Sequence, residues 1–190
     1  LLLWERYNPL TESDVLARFY DANGVPRTPE FQINEYTTGL QRLGTAAPLP
    51  NGDFIVVWAS DGQDGSRFGA FARRISAQGD LLGTEFPINT YTPGPQYPRR
   101  VRTNTVGDFV VVWEGGGDSE EDDDGIFARR FNKDGVALTP QMLVNSFTRD
   151  SQSRPDLAIA SNNGEFVVTW VSYDGYFTDD GERDLNIRAQ

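Results

Sequence analysis

Residues 107–131 read GDFVVVWEGGGDSEEDDDGIFARRF, and the fold follows from how often that phrase returns. The apolar run closing on Trp113 recurs as LLLW ending at Trp4, FIVVW at Trp58 and FVVTW at Trp170, with spacings of 54, 55 and 57 residues. A second run follows each tryptophan: VLARF from Val15, AFARR from Ala70, IFARR from Ile126 and NIRAQ from Asn186. The pairs Ile33-Asn34, Ile88-Asn89 and Val144-Asn145 keep the same period, as do Gln41, Gln96 and Gln152, both at steps of 55 and 56 residues. Pro98 and Pro155 follow the last two glutamines, whereas Arg42-Leu43-Gly44 departs from the pattern. Independent landmarks that hold one period identify a tandem repeat.

Each unit reads as four strands, here lettered A to D. Strand A follows the glutamine, around 43–48, 99–103 and 156–160, and turns at Asn51-Gly52, Gly107-Asp108 and Asn163-Gly164. Asn-Gly between two β-runs is a strong hairpin signal, because both residues tolerate positive φ. Strand B is the valine-rich run to tryptophan, and its unbroken apolar character requires cover on both faces. Strand C alternates, with Phe71 and Arg73 on one side and Ala72 and Arg74 on the other. It closes through Asn23-Gly24, Gln78-Gly79 and Asp134-Gly135 into strand D, read as FQIN, FPIN or MLVN.

A four-stranded meander repeated at this period predicts an all-β chain, a β-propeller-like array of antiparallel blades that is incomplete at both ends. The expected divisions are a partial blade at 1–36, blades at 37–91 and 92–147, and a partial blade at 148–190. On this reading Ala17, Ala72 and Ala128 let neighbouring sheets approach, and the tryptophans fill the space between them.

The 190 residues carry a formal charge of −11 and contain neither cysteine nor histidine. Disulfides and thiolate metal sites are thereby excluded, and so are Ser-His-Asp and Cys-His catalysis from this chain alone. Nucleic-acid phosphates are disfavoured partners of such a charge, while hard cations suit it. No apolar run approaches the roughly 20 residues of a membrane-spanning helix. The chain opens without methionine, which is expected of a segment whose targeting sequence has been removed.

The B–C loops are the acidic part of each unit. In a propeller they share one face with the D–A connections, and carboxylates crowded there repel unless a cation relieves them. Asp61, Asp64, Asp118, Glu120, Asp122, Asp124, Asp179 and Asp180 are the candidate ligands, and calcium is the candidate ion. Glu120, Asp122, Asp124 and Gly125 match the start of an EF-hand-like loop, but its twelfth position is Phe131. Tyr91, Gln96 and Tyr97 suggest a second kind of site, an inter-blade pocket whose aromatic faces and amide suit a sugar. No spacing fixes a catalytic pair of carboxylates, and the sialidase box S-x-D-x-G-x-x-W is absent, so the expectation is a protein that is not an enzyme. The strand C arginines (Arg18, Arg73, Arg74, Arg129, Arg130 and Arg188) and the repeated asparagines are expected to be structural.

The pattern GDFVVVW, an Asp/Gly loop, GIFARRF and FxVN resembles a tandem repeat of large secreted and cell-surface bacterial proteins, which often carry hemolysin-type calcium-binding segments elsewhere. The resemblance covers nearly the whole chain. It implies an extracellular location, a propeller-like fold and a role in adhesion or surface binding. The resulting expectation is a non-catalytic extracellular binding module, calcium-assisted through its acidic loops. A carbohydrate-binding lectin using inter-blade pockets and a structural subunit of a larger extracellular or envelope assembly are the alternatives. The expected partner is a protein or glycan on an extracellular surface.

Overall fold

The computed structural model describes residues 1–9, 12–116, 125–146, 151–177 and 183–190. Those residues form four antiparallel sheets and no helix. The first sheet holds β1 (Leu2–Asn8), β2 (Glu12–Arg18) and β3 (Phe31–Gln32). The second holds β4 (Gln41–Pro48), β5 (Phe54–Asp61), β6 (Phe68–Ile75) and β7 (Leu81–Pro87). The third holds β8 (Gln96–Thr103), β9 (Phe109–Gly115), β10 (Gly125–Phe131) and β11 (Met142–Leu143), and the fourth β12 (Gln152–Ile159), β13 (Phe166–Phe177) and β14 (Arg183–Ala189). Strands pair in chain order within each sheet, so each is a meander, and strands β4, β8 and β12 of successive sheets lie against one another. The architecture is all-β and propeller-like, with strand A innermost in the second, third and fourth sheets.

Strand B is covered as its composition requires. Trp58 and Val56 face the first sheet, where they pack on Val15, Ala17 and Ile33, while Ile55 and Val57 face Val101, Val111 and Trp113 of the third. Val110 and Val112 then face Leu157, Val168 and Trp170 of the fourth. Trp58 and Trp113 are fully buried, as are Ala17, Ala72 and Ala128, which leave room for the approaching indoles. Each large side chain so covered contributes about 1.5–3 kcal/mol. Tryptophan is thus core here, facing the preceding sheet in each of these contacts.

Polar side chains fix the geometry of the apolar stack. The recurrent asparagine accepts a bond from an N–H within strand C: Val15 to Asn34 at 2.8 Å, Ala70 to Asn89 at 2.8 Å and Ile126 to Asn145 at 2.7 Å. Its own amide donates back to the chain two residues on, to the carbonyls of Tyr36 and Tyr91 at 3.0 and 2.9 Å. The asparagine therefore replaces ladder bonds where the outer strand leaves the sheet, satisfying backbone groups that burial would otherwise penalise.

Two further contacts cross from sheet to sheet. Arg73 donates to the carbonyl of Ile33 at 2.9 Å and Arg129 to that of Ile88 at 2.8 Å, each also binding a carbonyl of its own C–D hairpin. Burial lowers the pKa of Arg129 from its ordinary value. On strand D, Glu85 accepts from the N–H groups of Glu35 and Tyr36 at 2.8 and 3.1 Å, and Gln141 accepts from Thr90 and Tyr91 at 3.0 and 3.4 Å. The strand C arginines are structural in two ways: Arg73 and Arg129 reach carbonyls of the neighbouring sheet, Arg73 also pairing with Glu35, while Arg74 pairs with Asp134 and Arg130 with Asp108. Arg188 lies outside the set, because it pairs with Trp170 in register and so occupies the place of Phe71 and Phe127.

Every strand A begins at its glutamine, two or more residues before the expected start, because a β-bulge interrupts the pairing just beyond it. The register shifts between Leu43 and Thr45, between Pro98 and Arg100 and between Ser153 and Asp156. Proline cannot complete a ladder, so Pro98 and Pro155 mark the irregularity in two sheets. In the second sheet Gly44 does so, where a Cβ would stand 2.6 Å from the Val57 carbonyl oxygen.

Asn89→Ala strips the Ala70 N–H of its acceptor and should cost about 1–3 kcal/mol of unfolding free energy in urea titration. A matched pair isolates the tryptophan bond. Trp113 donates to Gln96 Oε1 at 2.9 Å, whereas Trp58 Nε1 and Gln41 Oε1 are both buried without a partner. Trp113→Phe should therefore destabilise more than Trp58→Phe by roughly 1 kcal/mol, and equal losses would show that the indole bond contributes nothing.

Candidate functional site

The residue after each tryptophan points away from the tryptophan's face of the sheet. It is Glu5 in the first sheet, Ala59 in the second, Glu114 in the third and Val171 in the fourth. Arg42 pairs with Ala59 and Tyr97 with Glu114, so strands A and B present one row of side chains at the end leading to the B–C loops. Rows from three sheets meet at a cavity of about 300 Å³ lined by Glu5, Arg42, Ala59, Tyr97, Pro98 and Arg99. A larger groove of about 500 Å³ lies at the opposite, C–D hairpin end, between Phe86 and Gly135. It brings no pair of carboxylates together with an aromatic face.

The bulges build the cavity wall. Arg99 is the extra residue of the third sheet's bulge, and bulges of this kind re-aim a side chain. Its guanidinium meets Glu114 Oε2 at 2.5 Å. The other carboxylate oxygen, Oε1, accepts the N–H of Arg154 at 2.6 Å. Arg154 sits in the bulge of the fourth sheet with φ at 54°, a conformation that costs a non-glycine residue energy. The buried carboxylate of Glu114 thus ties two bulges together through both of its oxygens, an acceptor-only arrangement.

An aromatic ladder borders the same cavity. The Phe68 and Tyr97 rings lie 5.3 Å apart, the Arg42 guanidinium lies 5.2 Å from the Phe68 centroid, and that of Arg99 lies 5.8 Å from the Tyr97 centroid. The cavity therefore combines a carboxylate at Glu5, two guanidinium groups and an aromatic face, with the Glu114 carboxylate buried behind Arg99. Carboxylate pairs act on glycosidic bonds, and aromatic faces with adjacent hydrogen-bond partners bind sugar rings.

Of the residues singled out from sequence, Tyr97 lines this cavity. Gln96 is fully buried, with its amide committed to Trp113 and to the Pro93 carbonyl at 3.2 Å. Tyr91 belongs to the connection beyond strand D, where its carbonyl accepts from Asn89 and its buried hydroxyl has no partner among the described residues. Asp64 accepts from the Ser66 N–H and from Asn89 Nδ2, both at 3.2 Å, and Asp61 ends β5 beside Gly39. Asp118, Glu120, Asp122, Asp124, Asp179 and Asp180 lie outside the described residues. Among the described residues no group of three or more metal-ligating side chains comes together. Glu5, Arg42, Arg99 and Glu114 were missed because they break the repeat. The available signal was the position after tryptophan, which alternates between glutamate and small or branched residues beside a constant tryptophan.

No family model and no curated protein matches the chain. Among solved structures, an endo-arabinase from Bacteroides thetaiotaomicron VPI-5482 superposes with a TM-score of 0.50 over 97% of this chain and 68% of that one, at 10% identity. A thermostable family-43 glycoside hydrolase gives a TM-score of 0.46 over 97% of this chain and 70% of that one, also at 10% identity. At such identity the likeness to the endo-arabinase is one of fold. It corrects two expectations all the same. The exclusion of an enzyme rested on the lack of a spaced carboxylate pair and of the sialidase box, and the non-catalytic binding module on the resemblance to surface repeats, whereas this fold carries an endo-arabinase. The physical reason is that the fold, and not spacing along the chain, sets how far apart two carboxylates stand.

Glu114→Ala removes the acceptor from the Arg154 N–H and the partner from Arg99. It should lower unfolding free energy by roughly 1.5–3 kcal/mol, measured by chemical denaturation, and a value near zero would show that the two bulges hold without it.

Proposed function

We propose that this chain is a carbohydrate-active propeller that hydrolyses glycosidic bonds in the cavity between Glu5, Arg42, Tyr97 and Arg99. The observation that carries the reading is the convergence of a carboxylate, guanidinium groups and an aromatic ring from three sheets at one cavity. The likeness of fold to an endo-arabinase supports it and makes arabinan the first substrate to assay.

The roles follow from the bonding. Glu114 is a positioning residue: it holds Arg99 at the cavity through Oε2 while Oε1 accepts the Arg154 N–H. Glu5 is exposed on β1 at the cavity wall and takes the part of the proton donor to the leaving oxygen. Tyr97 supplies a face for the sugar ring, and Arg42 and Arg99 supply donors to its hydroxyl groups. Hydrolysis then breaks the bond between the anomeric carbon and the bridging oxygen: the Glu5 carboxyl gives its proton to that oxygen, and water gives hydroxyl to the carbon and its remaining proton back to the Glu5 carboxylate.

Reducing-sugar release from arabinan, and from a panel of other plant and bacterial polysaccharides, tests the reading. Glu5→Gln keeps shape and removes the transferable proton, so turnover should fall by about 100-fold or more while oligosaccharide binding is retained. Binding without turnover in the unaltered protein, or turnover unchanged in Glu5→Gln, would overturn the assignment.

A further inference from the structure

The second and third sheets share one register at their tryptophans, with Trp58 opposite Leu43 and Trp113 opposite Pro98. In both, the glutamine that opens strand A is fully buried, and its amide nitrogen donates to the carbonyl three residues earlier, Thr38 at 3.3 Å and Pro93 at 3.2 Å. The match ends at the indole. Gln96 Oε1 accepts the Trp113 N–H at 2.9 Å, whereas Gln41 Oε1, Trp58 Nε1 and Ser60 Oγ are buried without a partner among the described residues. Gln41, Trp58 and Ser60 are each 0% exposed. They share one face of the sheet, because Gln41 pairs with Ser60 in register and Ser60 stands two places beyond Trp58.

One residue accounts for the difference. Gly115 stands two places beyond Trp113, and a Cβ there would overlap Gln96 Oε1. Ser60 holds the same place in the second sheet and carries that Cβ, so Gln41 Oε1 cannot sit where Gln96 Oε1 does. The fourth sheet also has a serine there, Ser172, but its register breaks between Ser153 and Asp156. Trp170 therefore lies opposite the bulge itself, and its indole reaches Gln152 at 2.9 Å.

Buried polar atoms are paired in folded proteins, through ordered water where protein groups do not reach. The three atoms narrow the ligand by their chemistry. The indole N–H needs an acceptor, the amide oxygen needs a donor, and the hydroxyl takes either. A bare cation offers the indole no acceptor, and a halide offers the amide oxygen no donor. Water offers both and makes roughly two to four such bonds when buried.

We propose that Ser60 holds Gln41 away from Trp58, and that one buried water bridges Trp58 Nε1, Gln41 Oε1 and Ser60 Oγ where the second sheet packs on the first. The water accepts from the indole, donates to the amide oxygen and bonds the hydroxyl. It does for the second sheet what the direct bond does for the third. Ordering the water offsets part of its bonding, so the Trp58 indole still contributes less to stability than that of Trp113. The bridged residues alternate along their strands with Arg42 and Ala59, which line the cavity from the other face of the sheet.

A crystal structure that resolves ordered solvent should show one density peak within hydrogen-bond distance of the three atoms, and none beside the Trp113 indole. In solution, a nuclear Overhauser cross-peak between water and the Trp58 indole N–H should carry the sign of a long-lived bound water, and Trp113 should show none. Two variants separate the water from the serine hydroxyl. Ser60→Ala keeps the Cβ and leaves the water two partners, so the cross-peak should persist. Ser60→Gly removes the Cβ, so Gln41 should close on the indole as Gln96 does and the cross-peak should vanish. A direct Gln41–Trp58 bond in the unaltered protein, an absent cross-peak, its loss in Ser60→Ala or its retention in Ser60→Gly would each overturn the proposal.

Discussion

The constraint on which everything else depends is that strand B is apolar on both faces. A run such as Phe109 to Trp113 cannot rest against solvent, so each sheet needs a neighbour on both sides. A single four-stranded meander has no second face to cover it and gains too little buried area to stand alone. The repeat answers this by making each sheet the cover of the next, with Trp58, Trp113 and Trp170 filling the gap and Ala17, Ala72 and Ala128 opening it. Apolar packing is not directional, however, and by itself would let sheets slide. Direction comes from the polar latches. Arg73 and Arg129 bind particular carbonyls across the gap, and Glu85 and Gln141 each hold two backbone N–H groups of the preceding sheet.

How much of this could be read from the sequence depends on whether a feature repeats in residue type. The period, the four strands, the glycine turns and the covering role of tryptophan all do, and all were legible. The asparagine was legible as a structural residue, though its reach to the start of strand C was not. The Glu85 and Gln141 latch was invisible because acid and amide do the same work there, as acceptors, with different letters. The bulge left a trace in Pro98 and Pro155, but Gly44 does the same task in the second sheet through the absence of a side chain. Arg188 misled for the opposite reason: its letter fits the series and its register does not.

The site was harder still, because it draws on three sheets at once. Glu5, Arg42, Tyr97 and Arg99 are far apart in the chain and share no motif, and only the stacking of sheets around the inner strands brings them to one cavity. Excluding catalysis for want of a spaced carboxylate pair failed for a related reason. Separation in space is set by the stacking of sheets and leaves no fixed spacing along the chain.

A division of labour between constant and varying positions ties fold to function. Positions that repeat, such as the glutamine, the tryptophan, the asparagine and the strand C arginine, face the core or a neighbouring sheet and serve every sheet alike. The position directly after tryptophan varies: the four sheets present glutamate, alanine, glutamate and valine there, and the first two, Glu5 and Ala59, line the cavity. A ring of four glutamates would be self-repelling, and a ring of four small residues would carry no chemistry. Alternation separates the two acids by a neutral sheet and lets Arg99 and the Arg154 N–H settle one of them, so that two carboxylates of the same type stand in different surroundings. Different surroundings give like groups different properties, and here they come from breaking the repeat at a single position per unit.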